Sequence, residues 1–276
     1  MKKLLFYLLA AALIIVSIPV LCQEEISYGS NNGKYISVFN TKIYYEEYGE
    51  GTPLLLIHGN FSSMALYRMV IPELSNHFRV IGIDLPGFGR SYHADSISHQ
   101  LFSDYMSELI DVMRFDSVYV MGCSMGANVA LILAHDRPDK VKRIISDAGV
   151  VHAEGATLRL LEWTYSKRIG NPSKGWIDSY NSINPQSDLL ERLLEFENKL
   201  MDELPLLTDS ELRNIKARTL ILMGDGDGMV RLEHGLELYR AINSSKLCIV
   251  PGAGHCVCNT RPDIMNTMVI DFLTKE

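Results

Sequence analysis

Residues 122–126 read Gly-Cys-Ser-Met-Gly and place a serine hydroxyl between two glycines. The segment directly follows the apolar run 118–121 and directly precedes a helical pattern over 127–135. A serine on such a sharp strand-to-helix turn is held clear of the sheet, while the glycines let neighbouring backbone pass close by. The free N–H groups at the helix N-terminus can stabilise a developing oxyanion. The pattern therefore predicts that Ser124 is a nucleophile.

A serine nucleophile needs a general base, and the base needs a carboxylate that orients it. His255 lies in a glycine-rich turn after the apolar run 247–250, and Asp227 lies in the Gly-Asp-Gly-Asp-Gly segment after the run 220–223. The carboxyl ends of parallel strands meet at one edge of a sheet, where open α/β folds place their sites. We therefore expect these two side chains to meet Ser124 at that edge.

Two other carboxylates could orient the histidine. Asp225 is two residues before Asp227, and Asp147 follows the preceding predicted strand. The pair Asp225 and Asp227 also has the spacing of calcium ligands, but no downstream residues complete a known calcium loop. The residues alone therefore leave the orienting acid open among Asp227, Asp225 and Asp147, and they predict no metal site.

Short apolar runs bounded by glycine alternate with helical patterns along most of the chain. Such runs, without polar alternation, are typical of parallel strands buried on both faces. They occupy residues 54–57, 80–83, 118–121, 143–146, 220–223 and 247–250, and a β-hairpin over 33–48 precedes them. The alternation predicts an α/β fold with a mostly parallel sheet and helices on both faces.

Residues 152–212 interrupt this alternation because they show only amphipathic helical patterns. A leucine-rich stripe over 189–204 ends at Pro205, which cannot continue a helix. An all-helical insertion between two strands predicts a lid over the carboxyl edge of the sheet, and an ordinary pair of surface helices is the alternative.

The chain resembles the α/β-hydrolase fold family whose members have a His-Gly loop and a helical lid. The resemblance rests on motifs between residues 54 and 262. They are His-Gly-Asn at 58–60, Asp-Leu-Pro-Gly-Phe-Gly-Arg-Ser at 84–91, the serine turn at 122–126, the segment 224–227, Gly-His at 254–255 and Pro262. The family implies an eight-stranded-type sheet.

The resemblance also implies roles for individual residues. Ser124 would be the nucleophile, Asp227 the orienting acid, and His255 a general base and then a general acid. The backbone N–H groups of Met125 and Asn60 would form the oxyanion hole. By the same resemblance His58 and Asp84 are structural, and no cofactor or metal is implied.

A serine at position 124 excludes for this chain the reactions of relatives that use an aspartate nucleophile to form an alkyl-enzyme, such as epoxide hydrolases and haloalkane dehalogenases. We expect an acyl-Ser124 intermediate in the hydrolysis of a small carboxylic ester or lactone. One alternative is a carbon–carbon bond hydrolase of dienone-type acids, since the lid sequence contains the basic residues Arg159, Lys167, Arg168 and Lys174. The other is a non-catalytic binding protein of the same fold.

Residues 1–22 have two lysines directly after Met1, continue with an apolar run and end at Cys22, which indicates an export signal. Cleavage before Gln23 is favoured over lipid attachment at Cys22 or an uncleaved anchor. The folded domain is then residues 23–276, secreted or periplasmic, with membrane contact only through this N-terminal segment.

The chain of 276 residues has a formal net charge of −7, and residues 23–276 carry 24 basic against 33 acidic side chains. This balance argues against a nucleic-acid partner, which needs a basic surface. Four cysteines lie beyond residue 22. Their spacing does not determine a pairing, and unpaired structural thiols are the favoured interpretation.

Overall fold

The computed structural model describes residues 25–157, 174–184, 186 and 200–275. Eight strands form one sheet in the order β1-β2-β4-β3-β5-β6-β7-β8. The strands are β1 (Lys34–Val38), β2 (Thr41–Tyr48), β3 (Pro53–Ile57), β4 (Arg79–Ile83), β5 (Val118–Cys123), β6 (Val141–Asp147), β7 (Arg218–Gly224) and β8 (Ser245–Val250). Strand β2 is antiparallel to its neighbours β1 and β4, whereas all other pairs are parallel. The predicted mostly parallel sheet is confirmed.

Helices cover both faces of the sheet. They are α1 (Ile71–Leu74), α2 (His99–Val112), α3 (Met125–Asp136), α4 (Lys174–Ile183), α5 (Asp209–Asn214), α6 (Leu232–Ala241), α7 (Val257–Thr260) and α8 (Pro262–Thr274). Residues of α2, α3 and α6 pack into one apolar core, and residues of α1, α7 and α8 pack into another. Leu54 to Ile57 of β3 are fully buried and alternate between the two cores, which explains why this strand reads as a continuous apolar run.

Two residues of the 152–212 segment contact the loop that follows β4 at the carboxyl edge of the sheet. Tyr180 in α4 donates a hydrogen bond of 2.7 Å to the carbonyl of Gly87, and Asn184 donates one of 3.0 Å to the carbonyl of Gly89. Both glycines belong to the loop after β4. Helix α4 therefore lies beside the edge at which the lid was predicted.

Several predicted features lie outside the described residues. They are the N-terminal segment 1–22, most of the leucine stripe, and the basic residues Arg159, Lys167 and Arg168. Within the described ranges, no helix has both the length and the apolar character needed to cross a membrane.

Candidate active site

Ser124 lies on the turn between β5 and α3 with a backbone φ of 55° and ψ of −120°. Non-glycine residues rarely adopt such angles, and they persist only where the surroundings fix them. Here the Ser124 N–H donates a 2.8 Å hydrogen bond to the carbonyl of Asp147, and its own carbonyl accepts from Ala127 at 2.9 Å. The serine side chain is half-buried rather than enclosed. This geometry agrees with the turn expected of a nucleophile.

The two glycines that flank the turn are required by backbone contacts. A Cβ atom on Gly126 would lie 2.0 Å from the carbonyl oxygen of Ile57, and one on Gly122 would lie 2.0 Å from that of Gly126. Neither neighbour is a flexible side chain that could move aside. The glycines therefore let α3 begin directly against β3, as the sequence pattern predicts.

Replacing Gly126 by alanine is expected to lower the free energy of unfolding by about 3 kcal/mol, the upper range for overpacking of a close-packed interior. The matched control is Gly175→Ala in α4, where an added Cβ would have no described atom within 4 Å. That control should change the free energy of unfolding by less than about 1 kcal/mol. Urea unfolding followed by circular dichroism measures both, and equal stabilities of the two variants would contradict the prediction.

His255 and Asp227 are in direct contact. Nδ1 of His255 lies 3.0 Å and 3.1 Å from the two carboxylate oxygens of Asp227. The Asp227 side chain is 1% exposed, and its Oδ1 also accepts the N–H groups of Met229 and Val230 at 2.8 Å and 3.0 Å. Burial raises the pKa of this carboxyl, but the contact with His255 and the two N–H groups bring the pKa below its ordinary value. An ionised Asp227 can therefore fix the ring so that Nε2 is left for proton transfer.

The other two candidate acids have different partners. Asp225 is exposed and accepts the N–H of Gly252 at 2.7 Å. Asp147 is fully buried, and its carboxylate accepts the N–H groups of Val257 and Cys258 at 3.1 Å and 3.3 Å. Burial raises the pKa of Asp147 to about 6. Of the three acids, Asp227 alone has a hydrogen bond to the His255 ring among the described contacts.

The predicted oxyanion donors flank the serine. Met125 is the first residue of α3, and a Cβ atom on Gly59, directly before Asn60, would lie 3.3 Å from Cβ of Ser124. The Asn60 side-chain oxygen accepts from the N–H of Phe61 at 3.0 Å. No acceptor in the described ranges takes the N–H of Met125 or Asn60. Both N–H groups thus lack an acceptor among the described residues, and their catalytic role stays a prediction.

His58 and Asp84 hold the loops around this site. The fully buried His58 ring accepts the N–H of Leu85 at Nε2 and faces its neighbour's carbonyl through Nδ1, and burial lowers its pKa to about 4. Asp84 accepts the N–H groups of Met64 and Arg90, each at 2.8 Å. Each side chain is occupied by backbone or structural partners, as the sequence interpretation expects.

A disulfide joins Cys123 to Cys256, with 5.9 Å between their Cα atoms. The favoured interpretation of four free thiols is therefore wrong for this pair, whereas Cys248 and Cys258 are free. Local spacing does not show a bond between residues so far apart in sequence. One signal was available: each bridged cysteine is adjacent to a predicted catalytic residue, Cys123 to Ser124 and Cys256 to His255. The bridge brings the serine and histidine turns together.

Within the described part of the chain, one cluster has metal-ligand chemistry. Potential ligand atoms of Cys123, Asp147 and Cys258 lie within 4.8 Å of one another. Sulfur in a disulfide is not the thiolate that a metal requires, and Cys123 is bridged. The cluster in its oxidised form therefore does not fit a metal ion.

Comparisons with known proteins agree with this architecture. A family model described as alpha/beta hydrolase fold matches residues 52–173, and one described as TAP-like protein matches residues 202–276. The chain is 28% identical over 255 residues to a 2-hydroxy-6-oxo-2,4-heptadienoate hydrolase of Pseudomonas putida, covering 83% of this chain and 91% of that one. It is 26% identical over 266 residues to a pimeloyl-[acyl-carrier protein] methyl ester esterase of Vibrio vulnificus, covering 86% and 100%.

Solved structures resemble the fold closely. A meta-cleavage product hydrolase from Pseudomonas fluorescens IP01 gives a TM-score of 0.71 at 22% identity and covers 87% of this chain and 97% of that one. The carboxylesterase CesB from Bacillus subtilis gives 0.70 at 21% identity, with 88% and 91% covered. With the sheet order, the strained serine turn and the two family matches, these similarities establish that the chain belongs to the α/β-hydrolase fold family.

Proposed function

We propose that the chain is a serine hydrolase that cleaves the carbon–carbon bond beside the ketone of a 2-hydroxy-6-oxo-dienoate. The observation that carries the reaction class is the set of curated relatives, several of which are named as hydrolases of such acids. The residues alone favour ester or lactone hydrolysis over this reaction, and the curated relatives favour the reverse order.

The site geometry supports attack by Ser124 on a carbonyl carbon. His255 Nε2 takes the hydroxyl proton while Asp227, at Nδ1, holds the tautomer and stabilises the imidazolium. The carbonyl oxygen becomes an oxyanion that accepts the N–H groups of Met125 and Asn60. Collapse of this intermediate leaves an acyl group on Ser124, and water activated by His255 then releases the carboxylic acid.

Carbon–carbon cleavage requires that the departing carbon accept an electron pair. In the keto tautomer of the substrate, the pair from the broken C5–C6 bond is delocalised through the C3–C4 double bond to the C2 oxygen. The imidazolium of His255 returns the proton that it took from Ser124, so the departing fragment leaves neutral at C5. Delocalisation thus replaces the heteroatom that serves as leaving group in an ester.

Ester hydrolysis is the second candidate, since the Vibrio vulnificus relative is named as a methyl ester esterase. An ester would use the same nucleophile, base and oxyanion donors. What would distinguish the reactions is an anchor for the dienoate carboxylate. Lys174 is 87% exposed and pairs at 2.9 Å with Asp178 of its own helix, so the contacts of Lys174 do not favour it as that anchor.

The test compares kcat/KM for two substrate classes on the same preparation. We expect 2-hydroxy-6-oxohepta-2,4-dienoate to exceed p-nitrophenyl acetate by at least about 100-fold, equivalent to about 3 kcal/mol of transition-state free energy. The first reaction is monitored by the loss of absorbance of the conjugated chromophore, and the second by the release of p-nitrophenolate.

A p-nitrophenyl series from acetate to palmitate completes the panel. Hydrolysis of one of these esters at a higher kcat/KM than the dienoate would establish the ester candidate instead. Covalent labelling by a fluorophosphonate probe is the shared control. A folded protein that neither labels nor turns over any substrate would be the non-catalytic binding protein.

We also propose that the domain is exported with cleavage before Gln23. The apolar segment after Lys2 and Lys3 supports this proposal. Expression with the native N-terminus should yield a mature form in which mass spectrometry identifies Gln23 as the first residue. An acylated Cys22 at the N-terminus would establish lipid attachment instead, and Met1 on a membrane-bound product would establish an uncleaved anchor.

A further inference from the structure

We propose that the Cys123–Cys256 disulfide is a positioning element for the Ser124–His255 pair, so that its reduction slows acylation of Ser124. The proposal rests on the proposed serine-hydrolase function because it assumes that these two side chains act together. It adds a redox dependence that the triad alone would not have.

The bridge joins the two turns whose spacing matters most. Cys123 is the last residue of β5 and directly precedes Ser124, while Cys256 directly follows His255 and precedes α7. Strands β6 and β7 lie between β5 and β8 in the sheet, so β5 and β8, which precede the serine and histidine turns, are not paired with each other directly. The covalent bond fixes the Cα atoms next to the two reacting groups at 5.9 Å.

Both turns have unusual backbone conformations. Ser124 has a φ of 55° and Cys256 a φ of 60°, values that non-glycine residues keep only when surrounding structure holds them. A cross-link between these turns restricts each of them from relaxing. The bridge thus acts at the places where a small relaxation would move the serine hydroxyl or the imidazole.

Asp147 provides a second, non-covalent tie between the same turns. Its carbonyl accepts the N–H of Ser124, and its carboxylate accepts the N–H groups of Val257 and Cys258 just beyond the histidine. These bonds do not involve the sulfur atoms of the bridge. We therefore expect reduction to impair the alignment of the pair rather than to unfold the site.

Reduction consumes one equivalent of dithiol. A reductant thiolate attacks the sulfur of Cys256, because Cys256 is half-buried whereas Cys123 is fully buried. The second thiol of the reductant then displaces the protein sulfur and closes a cyclic disulfide. The reductant thereby transfers two electrons and two protons to the bridge, so that Cys123 and Cys256 become free thiols. The neighbouring Cys258 thiol is fully buried, and burial and Asp147 raise its pKa well above the ordinary value. A thiol so rarely ionised is poorly suited to form a replacement bridge.

The experiment measures the rate constant for fluorophosphonate labelling of the protein expressed from its full sequence, before and after treatment with dithiothreitol, with EDTA present. EDTA prevents capture of trace metal by the freed Cys123 thiol beside Asp147 and Cys258. We expect labelling and kcat to fall by about 10- to 100-fold, the effect of a misplacement of about 1 Å, with KM within about twofold. Reoxidation should restore both rates, and circular dichroism should show that the reduced protein stays folded.

Two variants separate positioning from general stability. The double variant C123A/C256A should label at the rate of the reduced enzyme and show no response to dithiothreitol. Cys248→Ser, at a half-buried free cysteine in β8, should retain both the full rate and the response. If the double variant does not fold, the labelling rates of the oxidised and reduced forms of the unsubstituted protein decide the question.

Equal labelling rates of the oxidised and reduced enzymes would overturn this proposal, even if reduction lowered the melting temperature. A thiol titration that finds every cysteine of the freshly isolated protein reactive after unfolding would overturn it as well. Failure of the oxidised enzyme to label at all would instead overturn the serine-hydrolase proposal, and this inference with it.

Discussion

Replacing Ser124 by alanine is expected to lower kcat by roughly 10⁴–10⁶-fold, as removal of a triad member does, and to abolish fluorophosphonate labelling. Alanine lacks the oxygen that forms the acyl-enzyme. The turn itself should persist because the N–H···O hydrogen bonds that Ser124 makes with Asp147, Ala127 and Asn128 involve backbone atoms alone. Steady-state kinetics on the best substrate of the panel and intact-protein mass spectrometry after labelling measure the two effects.

The matched control is Ser75→Ala. Ser75 follows α1 and donates its hydroxyl to the carbonyl of Pro72 in the turn that leads to the amino end of β4, away from the site edge. Its kcat should stay within twofold of the natural enzyme. His255→Ala should be as severe as Ser124→Ala, since His255 is the base to which the proposed mechanism transfers the serine proton. Turnover of Ser124→Ala within tenfold of the natural enzyme would refute the nucleophile assignment.

Replacing Asp227 by asparagine is expected to cost about 10⁴ in kcat, the effect measured in the best-studied serine triad. The carboxylate accepts the Nδ1 proton of His255, whereas an amide nitrogen would donate and favour the wrong tautomer. The loss should appear in kcat rather than in KM, because tautomer and charge matter most in the transition state.

Asp225→Asn is the matched control for this substitution, two residues away and also hydrogen-bonded to a backbone N–H. Its side-chain oxygen can still accept from Gly252, so activity should change less than threefold. Asp147→Asn should fall between the two because it disturbs the tie between the serine and histidine turns without contacting the imidazole. A larger loss of kcat in Asp147→Asn than in Asp227→Asn would identify Asp147, the last residue of β6, as the orienting acid instead.

The sheet could be predicted from sequence because its strands carry a local signal. Each buried parallel strand requires an apolar run, and each predicted run falls inside an observed strand, such as 220–223 within Arg218–Gly224. The meeting of the His255 and Asp227 turns could be predicted as well, since parallel strands place their carboxyl ends at one edge. Chain order and topology were sufficient there.

Features that depend on contacts between distant side chains could not be predicted in the same way. The carboxylate of Asp147 accepts N–H groups more than a hundred positions along the chain, and nothing in its neighbourhood indicates this. The disulfide was missed for the same reason. Substrate choice is also weakly encoded, because the nucleophile, base and oxyanion donors serve an ester and a dienoate equally.

The disulfide also changes the covalent topology of the molecule. Cys123 and Cys256 are 133 positions apart, so their bond closes a ring that contains the whole 152–212 insertion and three strands of the sheet. Closing a ring of this size removes unfolded-state entropy worth about 4 to 5 kcal/mol in the chain-entropy model. A protease that cuts one peptide bond inside the ring would leave a single covalent molecule, whose two fragments separate on a gel only after reduction. A segment from a relative that replaced the 152–212 insertion of this chain would likewise lie within a covalently closed ring.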